Sequence, residues 1–397
     1  MAFDVQAARA QFPALHQLTD SGKAPIFFDN PAGTQVPQRV IDAVSHYYRT
    51  MNANSGGAFA TSVRTDAMVS EVRQKAARFL NAARSDEIVF GPNMTTLNFA
   101  LSRALARHLK PGDELVLTRM DHDANVAPWL RLAEDHQLTV RWVDIDPVNC
   151  TLDMHSLEEA LSERSRIVAT VHASNAVGTI NPVGQIAEMA HAAGALHVVD
   201  AVQSAPHVPI DVQAIGCDFL LCSAYKFFGP HIGVMWGRYD LLAELPAYKV
   251  RPSKDVPPYR WENGTPSFET IAGVGAALDY LESIGGVGAF VEYERELVKD
   301  LVAGLQSLDQ VQLYGITDPD HFALRVPTVV FTKEGIHSRQ IAEHLAAHDI
   351  YAWDGDYYAV EIMQRLGYHE HGMVRIGLAH YNLKSEIDVM LDVLRKL

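Results

Sequence analysis

Between residues 86 and 237 one pattern repeats: a short apolar run, a turn, then a stretch with helical spacing of apolar residues. The runs "EIVFGP", "DELVLTRM", "LTVRWVDID", "RIVATVHAS", "ALHVVDAVQ", "CDFLLCSA" and "GVMWGR" read as strands. The stretches "NMTTLNFALSRALARHL", "NVAPWLRLAEDH", "SLEEALSE" and "PVGQIAEMAHAAG" read as the helices between the earlier ones. Strands such as "IVATV" and "HVVDAV" are β-branched and apolar nearly throughout, so neither face is left for water. Such strands suit a parallel sheet covered by helices on both sides, and the expected class is α/β with a mostly parallel central sheet. Ligands in these sheets bind outside the carboxyl ends of the strands. The residues to inspect are therefore those that follow each apolar run.

The flanks read differently. Upstream, "FFDNPAGTQVPQRVIDAVSHYYRTM" is a short extended piece, a Gly/Pro turn and a helix, and "TDAMVSEVRQKAARFLNA" is a helix with Thr65 or Asp66 as its N-cap. After residue 250, "VRPSKDVPPYRWENGTPS" is rich in proline, glycine and charge and reads as a long functional loop. Two helices follow, "ETIAGVGAALDYLESIGG" and "FVEYERELVKDLVAGLQSL". The remainder, from "PTVVFT" through "MVRIGLAHY" to "SEIDVMLDVLRKL", reads as a small α+β domain. A chain of 397 residues is more than one core usually holds. The expected division is an N-terminal segment joining the small domain (1–25), a large domain (26–265), and connecting helices with a small C-terminal domain (266–397).

A net charge of −15 argues against nucleic acid or an anionic membrane surface as the main partner. The N-terminus has no apolar signal core and no stretch is long enough to span a membrane, which makes a cytoplasmic location the expectation. Cys150, Cys217 and Cys222 are too few for a disulfide framework and read as small core residues. No metal site is expected.

Two of the apolar runs end in residues that belong together. Asp200 closes "ALHVVD", and Lys226 sits in "SAYKFFGP", just past "CDFLLC". A lysine at a strand end, partly desolvated, loses pKa and frees its lone pair to attack a carbonyl. An acid at the carboxyl end of another strand suggests a cofactor between the two. Pyridoxal phosphate needs this pair: a lysine for its aldehyde and an acid at its pyridine nitrogen. Its phosphate needs donors at a helix N-terminus, and Thr95 and Thr96 in "GPNMTTLNFA" enter a helix after a strand and a turn.

The stretches "SNAVGTINPV", "VVDAVQSAPH", "CSAYKFFGPHIGVMWG" and "WENGTPS", in that order, resemble the class V aminotransferase-fold enzymes that use pyridoxal phosphate, and most closely their cysteine-desulfurase-like branch. The resemblance runs from about residue 26 to the C-terminus. It implies fold type I of the pyridoxal-phosphate transferases, with a large cofactor-binding domain and a small α+β domain. It also implies roles. Lys226 forms the Schiff base; Asp200 pairs with the pyridine nitrogen; Gln203 and Asn175 contact the ring's phenolic oxygen. His122, in "MDHDANVAPW", stacks on the ring and assists proton transfer. Thr95, Thr96 and Ser223 hold the phosphate. Gly264 and Thr265 reach the phosphate of a neighbouring subunit, so a homodimer with shared active sites is implied. Arg375, in "MVRIGLAHYN", clamps the carboxylate of an amino acid substrate, a task suited to a bidentate guanidinium.

Three departures from that family pattern bear on the reaction. Tyr358, in "IYAWDGDYYAVEIMQRLG", stands where the mobile-loop cysteine of a desulfurase belongs, and no cysteine lies beyond residue 222. A phenol cannot form a persulfide. Tyr225 replaces the histidine often found before the lysine, though its hydroxyl is able to donate to the phosphate. "NANSGGAFATSVRT" replaces a segment that usually carries arginine and histidine near the substrate, which points to a different or larger side chain. The leading reading is a cysteine-desulfurase-like or carbon–sulfur β-elimination lyase. An aminotransferase, an epimerase and a non-catalytic cofactor- or partner-binding protein stay open. Asp356, Tyr357, Tyr358 and His337 are the candidates for steering among them, with Tyr358 and Asn175 also read as substrate contacts.

Overall fold

The computed structural model describes residues 3–397. Its centre is a seven-stranded sheet. In chain order the strands are β1 (Ile88–Gly91), β2 (Glu114–Thr118), β3 (Thr139–Val143), β4 (Ser165–Val171), β5 (Leu196–Asp200), β6 (Phe219–Ser223) and β7 (Gly233–Gly237). Their spatial order is β1-β7-β6-β5-β4-β2-β3. Pairs β3/β2, β2/β4, β4/β5 and β5/β6 are parallel, while β7 runs antiparallel to both β6 and β1. The buried runs explain the parallel part: β2, β5 and β6 bury nearly every side chain, so helices must cover both faces.

The longer helices are α1 (Gln38–Thr50), α2 (Ala60–Leu80), α3 (Met94–Leu105), α4 (Ala127–His136), α5 (Val183–Ala192), α6 (Phe268–Ser283), α7 (Val291–Gln306), α8 (Ser338–Ala346) and α9 (Lys384–Leu394). Helix α2 begins at Ala60, with Phe59 as N-cap, six residues ahead of the expected Thr65 and seven ahead of Asp66. Thr65 is instead buried, its hydroxyl donating to the Met51 carbonyl, and Asp66 accepts from the Gly56 amide. The polar opening "ATSVRT" extends the helix because its side chains tie back to the preceding loop.

A second, antiparallel sheet has the order β8-β9-β11-β10, with β8 (Val311–Tyr314), β9 (Thr328–Lys333), β10 (Trp353–Gly355) and β11 (Met373–Gly377). Helices α7, α8 and α9 pack on it around Leu301, Ile341, Leu345, Val374 and Ile387. Residues Ile26 and Phe27 pair in parallel with Ile350 and Tyr351, so the chain crosses to this smaller unit just past residue 25. The segment before them rests on the large core: the Phe12 ring lies 5.3 Å from Tyr280 and 4.8 Å from Tyr381. Helix α6 packs with Val72 of α2 and with Tyr47 of α1 in that same core. Residues 246–267 contain no helix or strand.

Candidate active site

The carboxyl ends of β2, β4, β5 and β6 open toward the small sheet, and the sequence candidates collect there. Asp200 is the last residue of β5 and is 2% exposed. Its Oδ1 accepts from the Val202 amide at 2.8 Å, which fixes the carboxyl at the start of the turn. Burial raises its pKa to about 6, opposed by that amide and by the charge of Lys226. Lys226 lies in a single turn, Ala224–Lys226, directly after β6. Its neighbours Phe227 and Phe228 are buried, and they draw the lysine inward with them. Burial, helped by the Arg375 charge, lowers the amine to about 7, while Asp200 and Asp29 pull the other way. Its Nζ donates to the Pro31 carbonyl. Among the described residues Lys226 and Asp200 form no ion pair, yet each feels the other's charge.

Ser223 ends β6, buried at its neighbour's side. Thr95 and Thr96 occupy the first turn of α3 and are exposed, and the Thr96 amide is capped by Asn93. This helix start can lie across the sheet only because residue 233 is glycine. A Cβ there would meet the Asn93 carbonyl carbon at 2.4 Å and the Met94 nitrogen at 2.7 Å. Tyr225 stacks on His231 with ring centroids 4.8 Å apart, and the Lys226 Nζ lies 4.8 Å from the Tyr225 ring.

His122 follows β2. Its Nδ1 accepts from the Ala124 amide at 2.9 Å, which leaves the ring hydrogen on Nε2. Burial, with the Lys226 and Arg375 charges, lowers its pKa to about 4, so the ring is neutral. Behind it Asp121 is fully buried and hydrogen-bonded to Thr118 and, at 2.6 Å, to Asn125; burial raises it to about 8.

From the small sheet, Arg375 on β11 donates to the Asn175 carbonyl at 2.9 Å and lies over the Tyr357 ring at 4.3 Å. Asn175 Nδ2 donates to the Tyr357 carbonyl, and Gln203 Nε2 reaches Thr328 of β9 at 3.4 Å. Tyr357 is buried; Tyr358 is 71% exposed, its ring 5.7 Å from that of His122 and its carbonyl held by the Asp123 amide.

Not every candidate comes together. His337 caps α8 and faces His371, in an open groove with Gln312 and Tyr368, away from these groups. Gly264 and Thr265 lie exposed in the 246–267 segment, Gly264 with φ +78°. One site residue escaped the sequence reading. Asp29 stands among the same groups, and burial raises it to about 6 against its own backbone amide and the charges of Arg375 and Lys226. The signal was present: like Asp200, it closes an apolar extended run, "IFFD".

The thiols are elsewhere. Cys150, Cys217 and Cys222 are all buried. Burial pushes Cys150 up to about 11 and the other two well above the usual thiol range.

The arrangement fits pyridoxal phosphate. A partly neutral amine and a buried carboxyl sit at neighbouring strand ends within reach of each other's charge, and the start of α3 packs against Gly233 of the next strand. Asn175 Oδ1, Gln203 Oε1 and Arg375 Nε are buried polar atoms with no partner among the described residues. Buried polar atoms are rarely left so, and these await a ligand.

Comparison with known proteins agrees. The aminotransferase class-V family model matches residues 26–390. A probable cysteine desulfurase of Synechocystis sp. is 34% identical over 98% of this chain and 94% of its own length. An aminotransferase-like protein of Gibberella zeae is 35% identical over 99% and 98%. Some relatives are longer: the chain spans 65% of a probable cysteine desulfurase of Mycobacterium leprae. Among solved structures, the apo cysteine desulfurase of Thermococcus onnurineus superposes with a TM-score of 0.91 at 30% identity, covering 100% of this chain and 98% of that one. The chain belongs to the class V aminotransferase family of pyridoxal-phosphate enzymes, in its cysteine-desulfurase-like branch.

Proposed function

We propose that the protein is a carbon–sulfur lyase that acts on L-cysteine or a related β-substituted amino acid by β-elimination, with no sulfur carried on its own chain. The observation that supports elimination over sulfur transfer is the missing thiol. Tyr358 stands on the loop, and all three cysteines are buried with raised pKa values. Sulfur transfer needs a thiolate nucleophile and leaves alanine. Elimination needs neither acceptor nor reductant: L-cysteine and water give pyruvate, ammonium and hydrosulfide.

In this reading Lys226 anchors the cofactor's aldehyde carbon, yields it to the substrate amine, and then accepts the α-proton. An amine held near 7 is part-neutral at neutral pH, as both steps require. Asp200 keeps the pyridine nitrogen protonated, and Gln203 and Asn175 hold the phenolic oxygen. Bound pyridoxal phosphate supplies the electron sink for the pair left at the α-carbon. Thr95, Thr96, Ser223 and Tyr225 hold the phosphate. Arg375 takes the substrate carboxylate, and neutral His122 covers the ring with its Nε2 hydrogen free for the departing sulfur. Gly264 and Thr265 serve the partner's site in a homodimer, and the enzyme works in the cytoplasm.

The test is the product balance of the holoenzyme with L-cysteine. Sulfide and pyruvate in equal amounts, with no alanine and no dependence on added thiol, are expected. Alanine in place of pyruvate would overturn elimination. A keto acid without sulfide would mean transamination, and racemised substrate alone would mean epimerisation.

A further inference from the structure

Arg375 is a cation, Lys226 is one whenever it is protonated, and an α-amino acid brings one carboxylate and one ammonium. If Arg375 takes the carboxylate, as the proposed function has it, the ammonium is left to approach a lysine. It needs a negative group beside that lysine, and Asp29 stands there.

The backbone fixes where Asp29 points. It forms a parallel bridge with Gly377, the last residue of β11, and the Gly377 amide donates to the Phe28 carbonyl at 2.8 Å. Bridge partners present side chains to the same face, and residues two apart on a strand share a face. The Asp29 carboxyl therefore lies on the face of β11 that carries Arg375. Two residues on, the Pro31 carbonyl accepts from Lys226. The segment between is clamped. Asn30 Nδ2 donates to the carbonyls of Phe27 (2.9 Å) and Gly377 (2.8 Å), and the Tyr381 hydroxyl donates to Asn30 Oδ1. A carboxyl held on so short a tether between Arg375 and Lys226 does not swing away.

One oxygen of the carboxyl is also unspent, although the residue's own backbone amide bears on the group. Asp29 Oδ1 is buried with no hydrogen-bond partner, and among the described residues no cation pairs with Asp29. Yet it feels both charges, Arg375 more than Lys226. A substrate that sets its carboxylate toward Arg375 and its nitrogen toward Lys226 brings that nitrogen to the Asp29 carboxyl, which feels both charges.

We propose that Asp29 is the acceptor for the substrate's α-ammonium group, and that it selects amino acids over simple carboxylates at this site. It rests on the reading of the protein as an amino-acid enzyme, but not on the fate of the sulfur. A charge-assisted hydrogen bond of this kind is worth tenfold or more in affinity.

Calorimetric titration of the holoenzyme with N,N-dimethylglycine and with isovalerate isolates the amine contact: the tertiary ammonium keeps a proton to donate but cannot condense with the cofactor's aldehyde, and isovalerate has carbon in its place. Wild type should prefer N,N-dimethylglycine. Asp29→Asn should weaken N,N-dimethylglycine by at least about tenfold while isovalerate binds as well or better, because a carboxylate that repels it is gone. Cofactor absorbance should be unchanged. Asp29→Ser, smaller and uncharged, should behave alike and serves if the asparagine variant loses its cofactor. Equal loss for both ligands, unchanged N,N-dimethylglycine affinity, or no preference in wild type would each overturn the assignment. No sulfide from L-cysteine, with the preference intact, would overturn the lyase reading and leave Asp29 standing.

Discussion

Lys226 burdens the fold until a cofactor takes it. Its amine falls from 10.5 to about 7 on burial. Between those values the unfolded chain binds this proton and the folded chain does not, so this group makes stability rise with pH from about 7 to 10.5. Below 7 the folded chain carries the whole cost of a buried charge. Lys226→Met should therefore raise the melting temperature of the apoenzyme at pH 6.5 by at least ~2 °C, and the gain should fade by pH 10.5. Scanning calorimetry at the two pH values checks it; a gain that grows with pH would contradict the assignment. Tyr358 makes the opposite case. Its hydroxyl has no partner among the described residues and the side chain is exposed. Tyr358→Phe should keep sulfide release within about twofold, as exposed substitutions usually do; near-complete loss would give the phenol a chemical role. Lys226 and Asp200 were legible because each follows an apolar run long enough to announce a strand. Asp29 also closes an apolar run, but one too short to announce a strand: the strand there is only Ile26–Phe27, and the bridge partner of Asp29, Gly377, lies at the other end of the sequence.

At the scale of elements, the site depends on where segments cross closely, and glycine marks the crossings. A Cβ on Gly377 would meet the Pro31 ring at 2.0 Å. The Pro31 carbonyl is the partner of Lys226, so the clash reaches the chemistry. Gly377→Ala should cost about 1–3 kcal/mol, the usual range for overpacking, and should lower cofactor occupancy with it. Denaturant unfolding followed beside the visible absorbance tests both; a stable, fully loaded variant would mean that the segment yields freely. Periodicity made the helices legible, but not the start of α2, where Thr65 and Asp66 looked like caps. Both turn back to the preceding loop through Met51 and Gly56, contacts that no local pattern reveals. The tyrosine turn was equally hidden. Tyr357 and Tyr358 both take positive φ, 57° and 56°, a strained choice for bulky residues. The strain is held by Asn175 and Asp123, which grip the two carbonyls.

Over the whole molecule, the α/β alternation carried the large sheet, because strands buried on both faces have few other uses. The antiparallel direction of β7 was not legible, since "GVMWGR" is as apolar as its parallel neighbours and only its short connection reverses it. The shared site is an expectation from family resemblance, and the segment that would carry it is exposed. Gly264 and Thr265 sit exposed in a segment without helix or strand, and Tyr248, Val256 and Tyr259 of that segment are exposed apolar groups. Tyr48, Phe59 and Val63 of the α1–α2 region are exposed as well. A homodimer that exchanges Thr265 makes a prediction no monomer can meet. Lys226→Ala removes the lysine from a subunit's own site, and Thr265→Asp sets a like charge against the phosphate in the partner's site. Each variant alone should be inactive. In a mixed dimer both defects fall in one site and the other is whole. Random re-association at equal amounts should then restore about a quarter of wild-type sites, since half the dimers are mixed and each has one intact site. Sulfide release after unfolding and refolding the mixture measures it. Recovery near zero, with dimers present by sedimentation, would mean that Thr265 serves its own subunit.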